Sequence, residues 1–321
     1  MKKKYLVTGG TGFIGSALVH ALVKAGHSVR VFDNDSRGSK ESLKDVLKDL
    51  ELVVGDIRNP DDVLKASKNI DSVFHLAFVN GTEFFYTKPE LVLEVGVKGM
   101  VNVLDACLKN KIGELILASS SEVYQAAPKV PTDENVGLSI PDPLNPRYSY
   151  GAGKIISEIM AVNYGRKFFD KVMIFRPHNV YGPNMGWEHV IPQFVLRMKE
   201  IVNASKEKEI QFPIKGSGEE TRAFVFIDDF IDGLMLLKDK GKHLEIYHIG
   251  TQEEISIKLV AKELGKYFQR EVEIVPGELA KGGTPRRCPS IAKMQALGYQ
   301  PKYKFAQGLP IIAQWYVENA K

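Results

Sequence analysis

Gly9-Gly10-Thr11-Gly12-Phe13-Ile14-Gly15 is the stretch from which the rest of the chain can be read. It follows directly on the short apolar run Tyr5-Leu6-Val7. It leads into Ile14, Leu18 and Leu22, whose four-residue spacing predicts a helix from Ile14 to Lys24. Gly9 permits a tight turn, Gly12 lets the backbone approach a pyrophosphate, and Gly15 lets helix and strand pack closely. The helix N-terminus then turns its unpaired N–H groups toward the phosphates. The stretch predicts a dinucleotide site at the end of a first strand.

Outward from this turn, strand and helix signals alternate. Gly26 ends the first helix, and Ser28–Phe32 reads as strand two. Leu50–Val54, Ser72–His75, Leu115–Ala118 and Val172–Phe175 read as strands three to six, with long helices over Leu91–Leu108 and Tyr150–Phe168. This alternation predicts parallel βαβ units with helices on both faces. Beyond Arg176-Pro177 the pattern loosens around Pro183, Gly186, Pro213, Gly216 and Gly218. A last βα-like segment runs through Phe224–Ile227 and Ile246–Ile249. The expected fold is α/β: a Rossmann-type doubly wound parallel sheet with a smaller mixed α/β substrate-binding lobe. Residues 1–177 plus 221–252 would form the larger lobe, and 178–220 plus 253–321 the smaller one over the sheet's carboxyl edge.

Composition narrows the function. The 321 residues are 44% hydrophobic and 26% charged, with 43 Lys+Arg against 39 Asp+Glu. A net charge of +4 without long runs of one sign does not suggest a nucleic-acid surface. There is no run of eighteen apolar residues, so no membrane helix is expected. The apolar run behind Lys2-Lys3-Lys4 breaks at Thr8, too early for a signal peptide. Cys107 and Cys288 lie far apart without metal-ligand spacing. They suggest neither a disulfide scaffold nor a zinc site, and a cytoplasmic setting is the default.

Asp33, at the end of strand two, can accept from both ribose hydroxyls and would repel a 2′-phosphate, which favours NAD over NADP. Asp56, in Gly55-Asp56-Ile57, can accept from an adenine amino group. Tyr150 and Lys154 stand four apart on one helix face. An ammonium one turn away would favour the phenolate of Tyr150. Ser119-Ser120-Ser121 follows strand five, where a hydroxyl can donate to a substrate oxygen.

Taken in order, these features resemble the extended short-chain dehydrogenase/reductases that modify nucleotide-linked sugars, over nearly the whole chain. Gly9–Gly15 matches that family's cofactor loop, Asp33-Asn34 its NAD-ribose position, and Gly55-Asp56-Ile57 its adenine pocket. His75-Leu76-Ala77 matches the motif beside the cofactor. Ser120 takes the catalytic Ser/Thr position, and Tyr150 and Lys154 the catalytic pair. The resemblance implies cofactor contacts from Gly9, Gly12, Phe13, Ile14, Gly15, Leu76, Ala77, Tyr150, Lys154 and Pro177. In Arg176–Pro183 it implies that Asn179 touches the sugar diphosphate. Thr221–Phe224 and Arg286–Pro289 match segments that bring arginines, here Arg222 and Arg287, to the same diphosphate. One departure is Gly96, where the family often has an Asn that holds a water in a proton relay. This suggests a rearranged relay.

The family's shared first step is oxidation of a sugar hydroxyl, usually at C4, with hydride passing to NAD. The expectation from the resemblance is an NAD-dependent nucleotide-sugar 4-epimerase, UDP-glucose 4-epimerase-like, with a transient 4-keto sugar. Such an enzyme would place little solvent deuterium on carbon and depend only mildly on Glu122. The alternative is a 4,6-dehydratase, a decarboxylase or a GDP-mannose 3,5-epimerase-like enzyme. Ser120-Ser121-Glu122 is close to the Thr-Ser-Glu of GDP-mannose dehydratases and UDP-glucuronate decarboxylases. Arg176–Pro183 and Thr221–Asp229 also resemble GDP-mannose 3,5-epimerase, and in this chain Glu122 and His189 could work as an acid/base pair, with Ser121 and His189 toward the substrate. Against decarboxylation, Asn184 stands where an arginine often follows Tyr-Gly-Pro. A non-catalytic NAD-binding relative is the remote alternative. The two long helices imply a homodimer.

Overall fold

The computed structural model describes residues 2–278 and 284–320. Fourteen strands are present among them: β1 Lys4–Thr8, β2 Ser28–Asp33, β3 Leu50–Val54, β4 Ser72–His75, β5 Glu114–Ala118, β6 Lys171–Pro177, β7 Val180–Tyr181, β8 Glu209–Lys215, β9 Thr221–Ala223, β10 Val225–Phe226, β11 Glu245–Ile249, β12 Glu254–Ser256, β13 Glu271–Gly277 and β14 Arg286–Arg287. Seven of them form one parallel sheet in the order β11-β6-β5-β4-β1-β2-β3. The chain builds outward from β1 to β3, then restarts on the other side of β1 with β4. That reversal opens a crevice beyond the carboxyl ends of the central strands.

Alternation along β1 explains the two-sided core. Tyr5 and Val7 join the apolar cluster on one face, and Leu6 joins the cluster on the other. Helices α1 (Phe13–Lys24) and α8 (Ile227–Lys240) pack together, as do α2 (Pro60–Ala66) and α5 (Gly99–Lys109). Helix α6 (Ser149–Phe168) buries Tyr150, Lys154, Ser157, Glu158, Ala161 and Gly165 at helical spacing.

The long helix expected over Leu91–Leu108 is segmented. α3 (Thr82–Thr87) precedes α4 (Pro89–Leu93), a π-turn covers Glu94–Lys98, and α5 follows. Residues 221–226, expected in the larger lobe, pair outside the main sheet. β9 lies between β12 and β14, and β10 pairs with β7. β8 and β13 form a separate parallel pair, and α7 (Val190–Ala204) packs beside them through Phe194 on Phe212.

Candidate active site

The carboxyl ends of β1 to β6 meet at a cavity of about 590 Å³. Every residue singled out above as a cofactor, catalytic or substrate candidate lines it, from Gly9 on one wall to Arg287 on another.

The glycine turn is shaped by close approach. Gly9 has φ +73°, and a Cβ there would come within 2.7 Å of Ala77 N. A Cβ on Gly15 would lie 2.0 Å from Gly9 O. Helix α1 starts behind Gly12, whose side gives no side-chain cap. Its first N–H groups are therefore left to an anion at the cavity, as a pyrophosphate site requires. Asp33 caps the turn: its Oδ2 accepts from Thr11 N at 3.0 Å and its Oδ1 from Asp35 N at 3.0 Å. Each oxygen keeps a further acceptor direction for a ribose hydroxyl. Asp56 is more heavily engaged than its expected adenine contact suggests. Arg58 donates to it through Nε and Nη2, and Asn34 Nδ2 donates at 3.2 Å. Arg58 holds the Asp56 carboxyl below its ordinary range.

At the other end, Ser120 Oγ accepts from Glu122 N at 3.1 Å, so its own proton is available to the Tyr150 oxygen beside it. Burial pushes the Tyr150 phenol above its ordinary value, a hydrogen bond with Ser120 pulls it back, and the charge of Glu122 raises it again. Lys154 is fully buried, donates to Ala118 O at 2.7 Å, and lies 5.8 Å from the Tyr150 ring centroid. Burial lowers it to about 7, with Glu158 opposing. The lysine stands one turn from Tyr150 as its spacing predicted, and its desolvation outweighs the nearby carboxylate of Glu158.

Glu122 and Arg287 were expected at separate tasks, but they are paired: Arg287 Nη1 donates to Glu122 Oε1 at 2.6 Å. Burial disfavours the Glu122 charge. Arg287, with help from Arg147 and Arg222, overcomes this and leaves the carboxyl below its ordinary range. Arg222 donates to Thr221 O and is lowered to about 10 by burial and by Arg287. Asn179, at φ +43°, lines the cavity with a buried Nδ2 that has no hydrogen-bond partner among the described residues. His189 lines it too and is kept neutral by burial, with no hydrogen bond to Glu122 among the described residues. Glu122 and His189 therefore face the same cavity without touching each other, and the direct partner of the Glu122 carboxylate is Arg287.

Behind the cavity lies a buried polar network. Glu158 receives Arg176 Nε at 2.8 Å and Nη2 at 2.6 Å, and also the hydroxyl of Ser119. Arg176 donates to the Tyr124 hydroxyl, which bonds His248 Nε2 at 2.6 Å. His248 Nδ1 lies 3.1 Å from Ser290 O, which fixes the tautomer with its proton on Nδ1. Sequence reading missed Glu158. Its signal was present, since it follows Lys154 by four residues on the inward stripe of α6. Arg37, from the loop after β2, pairs with Glu188 at 3.7 Å and sits 4.7 Å over Phe84 across the cavity rim.

This arrangement defines a class of protein: a Rossmann-type α/β enzyme with a dinucleotide turn and a Ser/Tyr/Lys constellation in one cavity. The chain belongs to the NAD dependent epimerase/dehydratase family, whose family model matches residues 5–250. It is 29% identical over 329 residues to UDP-N-acetyl-alpha-D-glucosaminuronate decarboxylase of Bacillus cytotoxicus, covering 99% of both chains. Among solved structures it resembles a dTDP-glucose 4,6-dehydratase from Streptomyces venezuelae with NAD bound (TM-score 0.86, 29% identity, 98% of this chain and 97% of that one). It also resembles UDP-glucose 4-epimerase of Thermotoga maritima with UDP-glucose (TM-score 0.86, 27% identity, 99% of this chain and 100% of that one). The chain is thus an enzyme of an NAD-dependent family.

Proposed function

We propose that this enzyme oxidises C4 of a nucleotide-linked uronic acid and releases the carboxylate as CO₂. The observation that carries the reading is Glu122: a half-buried carboxylate, kept ionised by Arg287, in the cavity of Ser120 and Tyr150. Simple epimerisation at C4 has no task for it. UDP-glucuronic acid decarboxylases of plants are similar over nearly the whole chain. The 4-epimerase expected from sequence is the less supported member of the pair.

When bound, NAD supplies the hydride acceptor and, later, the hydride donor. The glycine turn, Asp33, Leu76, Ala77 and Pro177 would hold it. Tyr150, its phenolate favoured by the Ser120 hydrogen bond and by protonated Lys154 one turn away, takes the proton from the C4 hydroxyl. Ser120 donates to the oxygen of the ketone that results. The C5–carboxylate bond is then β to a carbonyl, so it breaks with its electrons flowing toward the C4 oxygen, where Ser120 and Tyr150 stabilise the enolate. Glu122 positions the water that gives C5 its new proton. Tyr150 returns its proton to O4 as the alcohol re-forms. Asn179, Arg222 and Arg287 would bind the diphosphate, Arg287 moving between Glu122 and the phosphates, with Ser121 and His189 at the sugar. Guanidinium forks suit this task.

Incubation with UDP-glucuronate and with UDP-N-acetylglucosaminuronate tests the reading. Released CO₂ and a pentose product in proton NMR are expected. An unchanged carboxylate with an inverted C4 would overturn it. One observation favours that second outcome. Asn184 lines the cavity where an arginine could meet a carboxylate, and it donates instead to Ser42 Oγ at 3.0 Å.

We also propose a homodimer through α4–α6. Leu93, Ile156 and Ile159 are exposed there at 37%, 39% and 55%.

A further inference from the structure

Phe78 follows β4 and the His75-Leu76-Ala77 stretch, and lines the cavity floor. Its ring sits in a cradle made by two glycines. A Cβ on Gly96 would lie 2.2 Å from its Cζ, and one on Gly153 would lie 3.1 Å away. Gly96 is the residue where the expected relay Asn is missing, and it lies inside the Glu94–Lys98 π-turn. A side chain at position 96 would meet the aromatic ring before it reached the lysine. The ring meets Tyr150 edge-on, with centroids 5.1 Å apart. The Lys154 Nζ lies 4.0 Å from the ring centroid.

We propose that Phe78 is a positioning residue that seats the Lys154 ammonium on its π-face, in place of a water-bearing polar side chain, and that Gly96 exists to admit the ring. Two directions around Nζ are then accounted for: one N–H donates to Ala118 O, and another faces the ring. The aromatic face is the seat's stabilising element, since a cation over a desolvated ring is held by the ring quadrupole. Phe78 offers no atom to anchor a water there, so the lysine's proton affinity is set by its walls.

The groups facing Lys154 are few. Tyr150 and Glu158 share its helix, and Arg176 on β6 acts on it through Glu158. His75 on β4 is held neutral partly by the lysine itself. Glu122 follows β5 and is occupied by Arg287. Glu94, in the π-turn, is tied to Arg58. None of these is removed by changing Phe78, so a change in the lysine's titration would report the ring.

The proposal rests on reading Tyr150 and Lys154 as the chemical centre, but its test needs no turnover. Protein labelled at lysine Cε with ¹³C is titrated by NMR, both NAD-free and NAD-loaded, and the Lys154 signal is identified by its loss in Lys154→Gln. A midpoint near 7 is expected for the unaltered NAD-free protein. Phe78→Leu keeps an apolar side chain but removes the π-face, and should lower the midpoint by about one pH unit. Gly96→Ala displaces the ring and should lower it similarly. The double variant should fall no further than either single one, because both changes remove the same contact. If Phe78→Leu does not fold, Phe78→Met, adaptable and without a π-face, carries the same comparison. An unmoved midpoint in the folded variants, or an additive fall in the double variant, would overturn the proposal. Failure to release CO₂ would leave these titrations unchanged, so the two readings fail separately.

Discussion

Arg176 grips Glu158 with two parallel N–H donors, at 2.8 and 2.6 Å, and both side chains are almost wholly buried. The pair ties β6 to α6 one helical turn beyond Lys154, so it fixes the helix that carries Tyr150 against the sheet. Removing one partner strands the other charge in the interior. Glu158→Ala should therefore cost roughly 3–5 kcal/mol, read from urea unfolding. Glu158→Gln keeps the shape but leaves Arg176 uncompensated, and should fall close behind. An unfolding midpoint within error of the parent for either variant would contradict this.

Tyr150→Phe should abolish turnover, since the cavity then lacks a group to take the C4 hydroxyl proton. Cofactor binding should survive, because the glycine turn and Asp33 are untouched. The absorbance of bound NAD on mixing with substrate separates the two. A variant that still reduces its cofactor would remove Tyr150 from the role of base.

Glu122→Gln should lower kcat by roughly 10²–10⁴-fold if the carboxylate positions a proton for carbon. The product made in D₂O should carry deuterium at C5. A mild effect with no carbon-bound deuterium would return the enzyme to simple C4 epimerisation. Arg287→Met should also weaken substrate binding, since Arg287 is both the partner of Glu122 and a diphosphate candidate.

Asp33→Ser should erode the preference for NAD over NADP, as measured by titration of cofactor-stripped protein. The carboxylate repels a 2′-phosphate, while nearby Arg37 is drawn off to Glu188 and Phe84. NADP binding as tight as NAD in the parent would refute the premise.

Stability should fall with acid in a defined window. His75 and His248 are buried and lowered to about 3 and about 4 by desolvation. Unfolded histidines titrate near ~6.5. Between these values the unfolded chain binds more protons, so stability rises with pH there and is lost as pH falls from about 6.5 toward 4. For His248 the separation corresponds to on the order of 3 kcal/mol. His248→Gln should flatten that slope in denaturant titrations at pH 4.5 and 7. An equal slope in parent and variant would count against the assignment.

The central sheet was legible in the sequence because its strands are buried on both sides and read as bare apolar runs between helices. The glycine turn was legible because its constraints are local. What lay out of reach depended on distance along the chain. Glu122 meets Arg287 across 165 positions, and neither residue's surroundings name the other. β8 carries the alternating buried residues Ile210, Phe212 and Ile214, but Pro213 sits within it and made it read as a loop. Among the described residues its one partner strand is β13, so an edge position tolerates the proline. Helix α7 hid in the same proline-rich stretch. The break at Glu94–Lys98 was invisible too, because Gly96 announces a missing side chain and not the ring that replaces it.

Gly12 gives α1 no side-chain cap, and the helix therefore reaches its full complement of hydrogen bonds with an anion at its N-terminus. A ligand that binds only the folded chain adds to its stability in proportion to the logarithm of its concentration. The folding stability of the protein is then coupled to the concentration of its own cofactor. A chain stripped of its cofactor would therefore unfold at a lower denaturant concentration than one loaded with it, by an amount set by the free cofactor.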